Sequence, residues 1–418
     1  MKEINMEGKT ITVLGLGYIG LPTSIVLAKA GHKVNGYDPN EEVVKTLNAG
    51  RIHIVENNVQ EEFKKVVDSG NFKAFSEVQP ADVYIICVPT PFKEDNKEEK
   101  LADLSYVESA AHTVAKVVKE GDLVILESTV PPLTTKMVAD IIEKDTGMSR
   151  DKFHTVHCPE RVLPGRILYE LEHNDRIIGS DREESALMAK NLYESFVKEG
   201  TCYVTDDITA EMCKLVENTF RDINIAYANE LSIICHELGI DVFKLIELAN
   251  KHPRVNILTP GVGVGGHCIA VDPWFLVEKF GDNAKLINTA RHVNDFKPLW
   301  VSNQVEEEIG HDKNAKIGVL GLAYKPNIDD LRESPSIILA EDLIKKGYTV
   351  YGCEPNTKKE KIKDIEVKSL DYVLENCDYL VITLANKEFI DEKEKIFAKK
   401  INQIAYDRFL FFLIIYSF

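Results

Sequence analysis

The chain of 418 residues lacks a basic surplus, a paired-cysteine motif and any apolar run long enough to span a bilayer. Lys and Arg number 50 against 67 Asp and Glu, a net charge of −17. That balance argues against nucleic acid or an acidic membrane surface as a partner. An anionic small substrate would need a locally basic pocket, so individual cations become informative. The eight cysteines (87, 158, 202, 213, 235, 268, 353 and 377) include no C-x-x-C pair. Their scatter suits free thiols in a reducing cytoplasm and speaks against a disulfide framework or a metal site. The opening MKEINMEGKT has no apolar core of the kind a secretory signal carries. The apolar run FLFFLIIYSF at 409–418 is about half the length of a membrane helix and reads as a buried terminal strand.

What is present is a repeated strand–turn–helix pattern. TITVL at 10–14 is a short apolar strand, GLGYIGLP follows, SIVLAKAGH has helical spacing, and KVNGYD at 33–38 is a second strand. This is a βαβ unit. Further strands are expected at 82–88, 122–127 and 154–160, the first two leading into the loops VPTPF and STVPP. From about residue 207 some thirty residues run without Gly or Pro in helical spacing, the pattern of a spine between domains or a dimer interface. At 316 the first pattern returns: KIGVLGLAYKPN and SIILAEDLIKKGYTVYGCEPN echo TITVLGLGYIGLP and SIVLAKAGHKVNGYDPN. The expected fold is α/β, with two Rossmann-like doubly wound domains joined by a long central helix and a helical middle domain. The expected boundaries are 1–200, 201–312 and 313–418.

Gly15, Gly17 and Gly20 form G-x-G-x-x-G between a strand and a helix, with Asp38 closing the next strand. In that context the glycines let the backbone approach a pyrophosphate at the helix N-terminus, and the carboxylate binds a ribose diol and repels a 2′-phosphate. NAD is therefore expected over NADP. Thr90 and Thr129 follow the third and fourth strands, where a dinucleotide crevice lies in such sheets, though ordinary loop threonines are an equal reading. Lys214 and Asn218 are one helical turn apart and form a polar stripe with Glu211 and Arg221, either functional or merely solvated. His252, Arg254, Lys325 and Arg332 stand beside Gly/Pro-rich turns and could hold a diphosphate or be surface charges. In the repeat, Ala323 and Pro326 replace the second and third fingerprint glycines.

Cys268 lies in GVGVGGHCIAVDP at 261–273. Beside a hydride acceptor, a thiol can capture an aldehyde as a thiohemiacetal, which can lose a second hydride to give a thioester. The alternative is a buried free thiol, against which the glycine-rich surroundings count. His267 is read as structural, because neighbours in an extended loop point apart.

Together these segments resemble the UDP-sugar 6-dehydrogenase family, the four-electron relatives of UDP-glucose dehydrogenase within the UDP-glucose/GDP-mannose dehydrogenase family. The resemblance covers nearly the whole chain through GLGYIGLP, VPTP, STVPP, CPERVLPGR, the Lys214–Asn218 helix, PGVGVGGHCIAVDPWF and GLAYKPNIDDLRESPS. HPRVN with the cysteine segment is most similar to members acting on UDP-N-acetyl-D-mannosamine. Members acting on UDP-N-acetylglucosamine are the closer competitors. UDP-glucose enzymes carry Phe and Lys where this chain has Ile269 and Val271.

The resemblance implies Cys268 as nucleophile, Lys214 as proton donor/acceptor and oxyanion support with Asn218, and Glu160 and Asp272 for the hydrolytic water. It implies NAD contacts from Gly15, Gly17, Tyr18, Ile19, Gly20, Asp38, Thr90, Thr129 and Arg332. It implies UDP-sugar contacts from Arg161, Val162, Lys214, Asn218, Arg221, His252, Arg254, Gly265, Tyr324 and Lys325. It also implies no metal, no nucleic-acid or membrane partner, a cytoplasmic protein, and a homodimer or dimer of dimers in which Arg254 acts across the subunit boundary. A non-catalytic NAD- or UDP-sugar-binding protein is the alternative of a different class. After AYD at 405–407 the family continues with polar residues, whereas this chain gives RFLFFLIIYSF. A shifted reading frame near 408 would produce such an ending.

Overall fold

A computed structural model describes residues 5–93, 100–163, 165–398 and 402–405. The apolar run at 409–418, and the terminal strand expected of it, lie outside the described residues. The chain divides into two compact units, Met1–Glu217 and Asn218–Phe418.

The first unit is built on an eight-stranded sheet. Its strands are β1 (Thr10–Leu14), β2 (Lys33–Tyr37), β3 (Phe72–Phe75), β4 (Val83–Ile86), β5 (Leu123–Leu126), β6 (His154–His157), β7 (Arg176–Gly179) and β8 (Cys202–Thr205). Their order is β3-β2-β1-β4-β5-β6-β7-β8. All neighbours are parallel except β6 and β7, which meet at a single antiparallel pair, His157 with Gly179. The chain winds outward from β1 to β3, then returns to β4 on the other side of β1. The crevice at the C-terminal ends of β1 and β4 is therefore the switch point where ligands bind in such sheets.

The central strands read as continuous apolar runs because both faces are covered. Val83, Ile85, Leu123 and Ile125 join one core, and Tyr84, Ile86, Val124 and Leu126 join the other. Strand alternation thus feeds two layers of helices.

The second unit carries a six-stranded sheet: β9 (Lys316–Leu320), β10 (Thr349–Cys353), β11 (Lys361–Ile362), β12 (Ile365–Val367), β13 (Tyr379–Ile382) and β14 (Asn402–Ala405), in the order β11-β12-β10-β9-β13-β14. The internal repeat is visible at the level of single bonds. β1 pairs with β2 from Thr10↔Lys33 to Leu14↔Tyr37, and β9 pairs with β10 from Lys316↔Thr349 to Leu320↔Cys353. Gly15 N donates to Tyr37 O at 2.9 Å, and Gly321 N donates to Cys353 O at 2.9 Å. Both glycines are left-handed, with φ of 88° and 96°.

The expected long helix spans Asp207–Leu238, 32 residues, and the boundary between the units falls within it. Val242–Ala249 follows as a short helix, capped where the Asp241 side chain accepts from Phe243 N. Among the described residues no helix is long and apolar enough to cross a membrane. All eight cysteines are free thiols.

Candidate active site

In the first unit, the turn after β1 is shaped by two close approaches. A Cβ on Gly15 would lie 2.8 Å from the Cys87 carbonyl oxygen, and one on Gly20 would lie 1.9 Å from the Gly15 carbonyl oxygen. A Cβ on Gly17 would meet nothing within 4 Å, so its backbone faces open space. The helix Gly20–Lys29 starts at this turn without a side-chain cap, and its positive end is where a phosphate would be held in such a turn. Tyr18 is exposed and Ile19 half-buried beside them. Asp38 is held at the rim, its carboxylate accepting from Leu16 N at 3.2 Å and from Asn40 N at 2.9 Å. These residues fit a dinucleotide with a free ribose diol.

The loops after β4 and β5 are tied together next to this turn. Thr90 Oγ1 donates to Thr129 O at 2.7 Å, and Ser128 Oγ donates to Val88 O at 2.7 Å. Below them sits a buried polar cluster that sequence reasoning did not single out. Tyr193 OH donates to Glu127 at 2.6 Å, and Cys87 Sγ lies 3.2 Å from the same carboxylate. Burial pushes the Glu127 carboxyl up, against the opposing pull of Arg176. Arg176 is fully buried, stacks 4.5 Å over the Tyr193 ring and donates to Glu160 at 3.1 Å. Glu160 also accepts from Arg161 N at 2.7 Å. The predicted Glu160 is thus a fixed carboxylate, and its orienting cation comes from the neighbouring strand β7. Arg161 itself forks onto Glu217, with N···O distances of 3.1 and 2.7 Å. Val162 packs partly buried against the core.

Glu211 does not belong to a solvated stripe. It is buried and accepts from Leu133 N at 2.6 Å, Thr135 N at 2.7 Å and Thr135 Oγ1 at 2.6 Å. It therefore caps the helix Thr134–Thr146 from outside. Lys214, one turn further on, is half-buried and has no hydrogen-bond or ion-pair partner among the described residues.

In the second unit, Asn218 Nδ2 donates to Asp272 Oδ2 at 2.5 Å, and both side chains are buried. The cysteine loop is anchored at its other end too. Gly261 N donates to Asn229 Oδ1 at 2.9 Å, and Asn229 Nδ2 donates to Asn294 Oδ1 at 2.9 Å. Asn294 and Arg291 both bind the buried Asp222 carboxylate, at 2.8 and 2.5 Å. The loop runs against the segment 324–335 at a distance only glycine permits. A Cβ on Gly265 would lie 2.5 Å from the Glu333 carbonyl oxygen, and one on Gly266 would lie 2.7 Å from the Tyr324 ring. Gly266 N donates to Arg332 O at 3.0 Å.

The structure therefore brings Cys268, Gly265, Tyr324 and Arg332 together. Arg221, His252, Arg254 and Lys325 are exposed, with His252 and Arg254 joined by a 3.4 Å contact from Arg254 N to His252 Nδ1. Among the described residues, no three His, Cys, Asp or Glu side chains could hold a metal.

The fingerprint, the cysteine loop and the second sheet fall in three successive family domains. Residues 9–197 match the NAD binding domain, 208–296 the central domain and 318–409 the UDP binding domain of one family. The chain belongs to the UDP-glucose/GDP-mannose dehydrogenase family. Membership makes it an NAD-dependent UDP-sugar dehydrogenase. Among its relatives is the UDP-N-acetyl-D-mannosamine dehydrogenase of Campylobacter jejuni, 47% identical over 395 residues, 91% of this chain and 96% of that one. The NDP-N-acetyl-D-galactosaminuronic acid dehydrogenase of Ralstonia nicotianae is 47% identical over 400 residues, 93% of each chain. The structure of the UDP-D-ManNAc dehydrogenase from Pyrococcus horikoshii superposes with a TM-score of 0.87 at 41% identity, over 96% of this chain and 95% of that one.

Proposed function

We propose that the protein oxidises C6 of UDP-N-acetyl-D-mannosamine to the carboxylate of UDP-N-acetyl-D-mannosaminuronate, consuming one water. The observation that carries this reading is the HPRVN and GVGVGGHCIAVDPWF pair, in a chain 47% identical to a dehydrogenase named for that sugar. NAD, bound at the Gly15–Gly20 turn, supplies the hydride acceptor for each of the two oxidations. Cys268 adds to the C6 aldehyde and holds it as a thiohemiacetal, then as a thioester. Lys214 stabilises the O6 oxyanion, a role its unpaired ammonium supports. Asn218 assists, oriented by its bond to Asp272. Glu160, fixed by Arg176, and Asp272 manage the water that cleaves the thioester. The exposed cations Arg221, His252, Arg254 and Lys325 serve the diphosphate, with Arg161, Val162, Gly265 and Tyr324 lining the sugar nucleotide.

The same reading makes the protein a homodimer, or a dimer of dimers, through the long helix. Phe220, Tyr227 and Ile234 recur every seven residues along it and are 67%, 53% and 44% exposed. Such a stripe suits a helical seam.

A second reading, the galacto sugar, is favoured by the equally similar Ralstonia relative. NADH release measured against UDP-N-acetyl-mannosamine, -galactosamine and -glucosamine separates these. The manno sugar is expected to give the highest kcat/KM. A higher value with another epimer transfers the assignment to it, and no NADH from any of them leaves the non-catalytic binder.

A further inference from the structure

The buried cluster beneath the cofactor turn holds more acid than base. Arg176 Nη2 donates to Glu160 at 3.1 Å, and Nη1 lies 3.9 Å from Glu127 Oε1. All three side chains are buried. Tyr193, Cys87 and Cys158 face them, and burial pushes each of these groups up, so the phenol and both thiols stay neutral. One guanidinium therefore serves two carboxylates. Glu127 is held from three further elements: Tyr193 OH donates to it at 2.6 Å, Cys87 Sγ at 3.2 Å and Thr23 Oγ1 at 3.3 Å. Thr23 lies on the helix Gly20–Lys29 and ties this carboxylate to the cofactor turn. Burial and the charge of Glu160 push the Glu127 carboxyl up, while Arg176 and the bonds from Tyr193 and Cys87 pull it down. The Arg176 guanidinium is confined by the rings of Tyr193 and Phe196, at 4.5 and 5.2 Å. A buried guanidinium does not give up its proton, and leaving it without an anion is costly. Were Glu160 its sole partner, a proton arriving on Glu160 would strand the cation. Glu127, just beyond hydrogen-bond reach of Nη1, removes that obstacle.

We propose that Glu127 is a positioning residue for thioester cleavage, taking over the Arg176 guanidinium while Glu160 carries the proton drawn from water. This rests on the reading of Glu160 as a residue that manages that water. The oxygen of water forms its bond to C6, its proton passes to Glu160, and the C6–O6 π pair moves onto O6. That pair returns, and the C6–S pair leaves on sulfur. Arg176 Nη1 closes on Glu127 while Glu160 is neutral, and Arg176 turns back when Glu160 releases its proton to solvent. The thiolate and the new carboxylic acid then equilibrate with solvent. Neither hydride transfer needs this exchange, so Glu127 acts on hydrolysis alone.

The test is stopped-flow NADH release by the full-length protein, with the UDP-sugar epimer of highest kcat/KM, alongside intact mass during turnover. Glu127→Gln is expected to lower kcat about tenfold or more, to keep a burst of about two NADH per site at a rate within about twofold of wild type, and to accumulate a sugar adduct. Glu127→Asp keeps the charge and is expected to recover part of kcat. Added to Glu160→Gln, Glu127→Gln is expected to cost less than about twofold more, because it works through Glu160. Arg176→Lys keeps the charge but not the two-sided reach. It is expected to show the same adduct and burst, and it decides the question alone should Glu127→Gln not fold. Burst and kcat slowed by one common factor, a full additional loss on top of Glu160→Gln, or wild-type kcat in Glu127→Gln overturns the proposal. Glu160→Gln alone separates the two readings: wild-type kcat there removes Glu160 from hydrolysis and the proposal with it, whereas a slow Glu160→Gln beside a fast Glu127→Gln removes the proposal only.

Discussion

Cys268 is half-buried in a loop whose two ends are pinned by asparagines of the long helix, Asn229 at Gly261 and Asn218 at Asp272. In the proposed reaction two hydrides leave one carbon, so an intermediate is held between them, and a thiol adduct retains a hydrogen to donate. A serine in its place is far less ionised and makes an ester that water cleaves slowly. Cys268→Ser is expected to keep NAD and UDP-sugar binding and to lose steady-state kcat by roughly three orders of magnitude or more. Stopped-flow absorbance should show at most about two NADH per site in a slow burst, with a sugar adduct visible by intact mass. Turnover near the wild-type rate would remove the thiol from the mechanism.

Among elements, the helix Thr134–Thr146 shows how a distant residue can finish a fold. Its first amides are satisfied by Glu211, seventy-odd positions later in the chain. Burial pushes this carboxyl up, while the bonds from Thr135 and Leu133 pull it down. Removing it orphans two backbone donors and a hydroxyl. Glu211→Ala is expected to cost the first unit about 2 kcal/mol, read as a lower denaturant midpoint, with Glu211→Gln recovering part. An unchanged midpoint for Glu211→Ala would show that water replaces the carboxylate.

This scale also marks what could be read from sequence. β1 and β2 were legible because a glycine fingerprint punctuates them, and the repeat at β9 and β10 because the same spacing returns. β3, β7 and β8 are four-residue strands without such punctuation. Lys214 and Asn218 were legible as a helical pair. The pairing of Asn218 with Asp272, and of Glu160 with Arg176, was not, since it depends on which strands and loops become neighbours. Glu211 looked like surface for the same reason.

At the scale of the whole molecule, the apolar stripe on the long helix needs a cover. Phe220→Asp combined with Tyr227→Asp is expected to halve the mass measured by light scattering, from two chains to one. A wild-type protein already monomeric at micromolar concentration would refute the dimer through this face.

The duplicated sheet also bears on how many cofactors one chain can hold. Glu354 stands after β10 where Asp38 stands after β2. Unlike Asp38 it is buried, and it is consumed by its own domain: Leu322 N and Ala323 N donate to it at 2.8 and 3.0 Å, and Asn356 N at 3.1 Å. Pro326 offers no amide, and the next helix begins only at Pro335 rather than at the turn. The copy has kept the architecture while swallowing its own recognition group. Calorimetric titration with NAD should accordingly saturate at one equivalent per chain, and a second equivalent of similar affinity would mean that the ancestral pocket is still open.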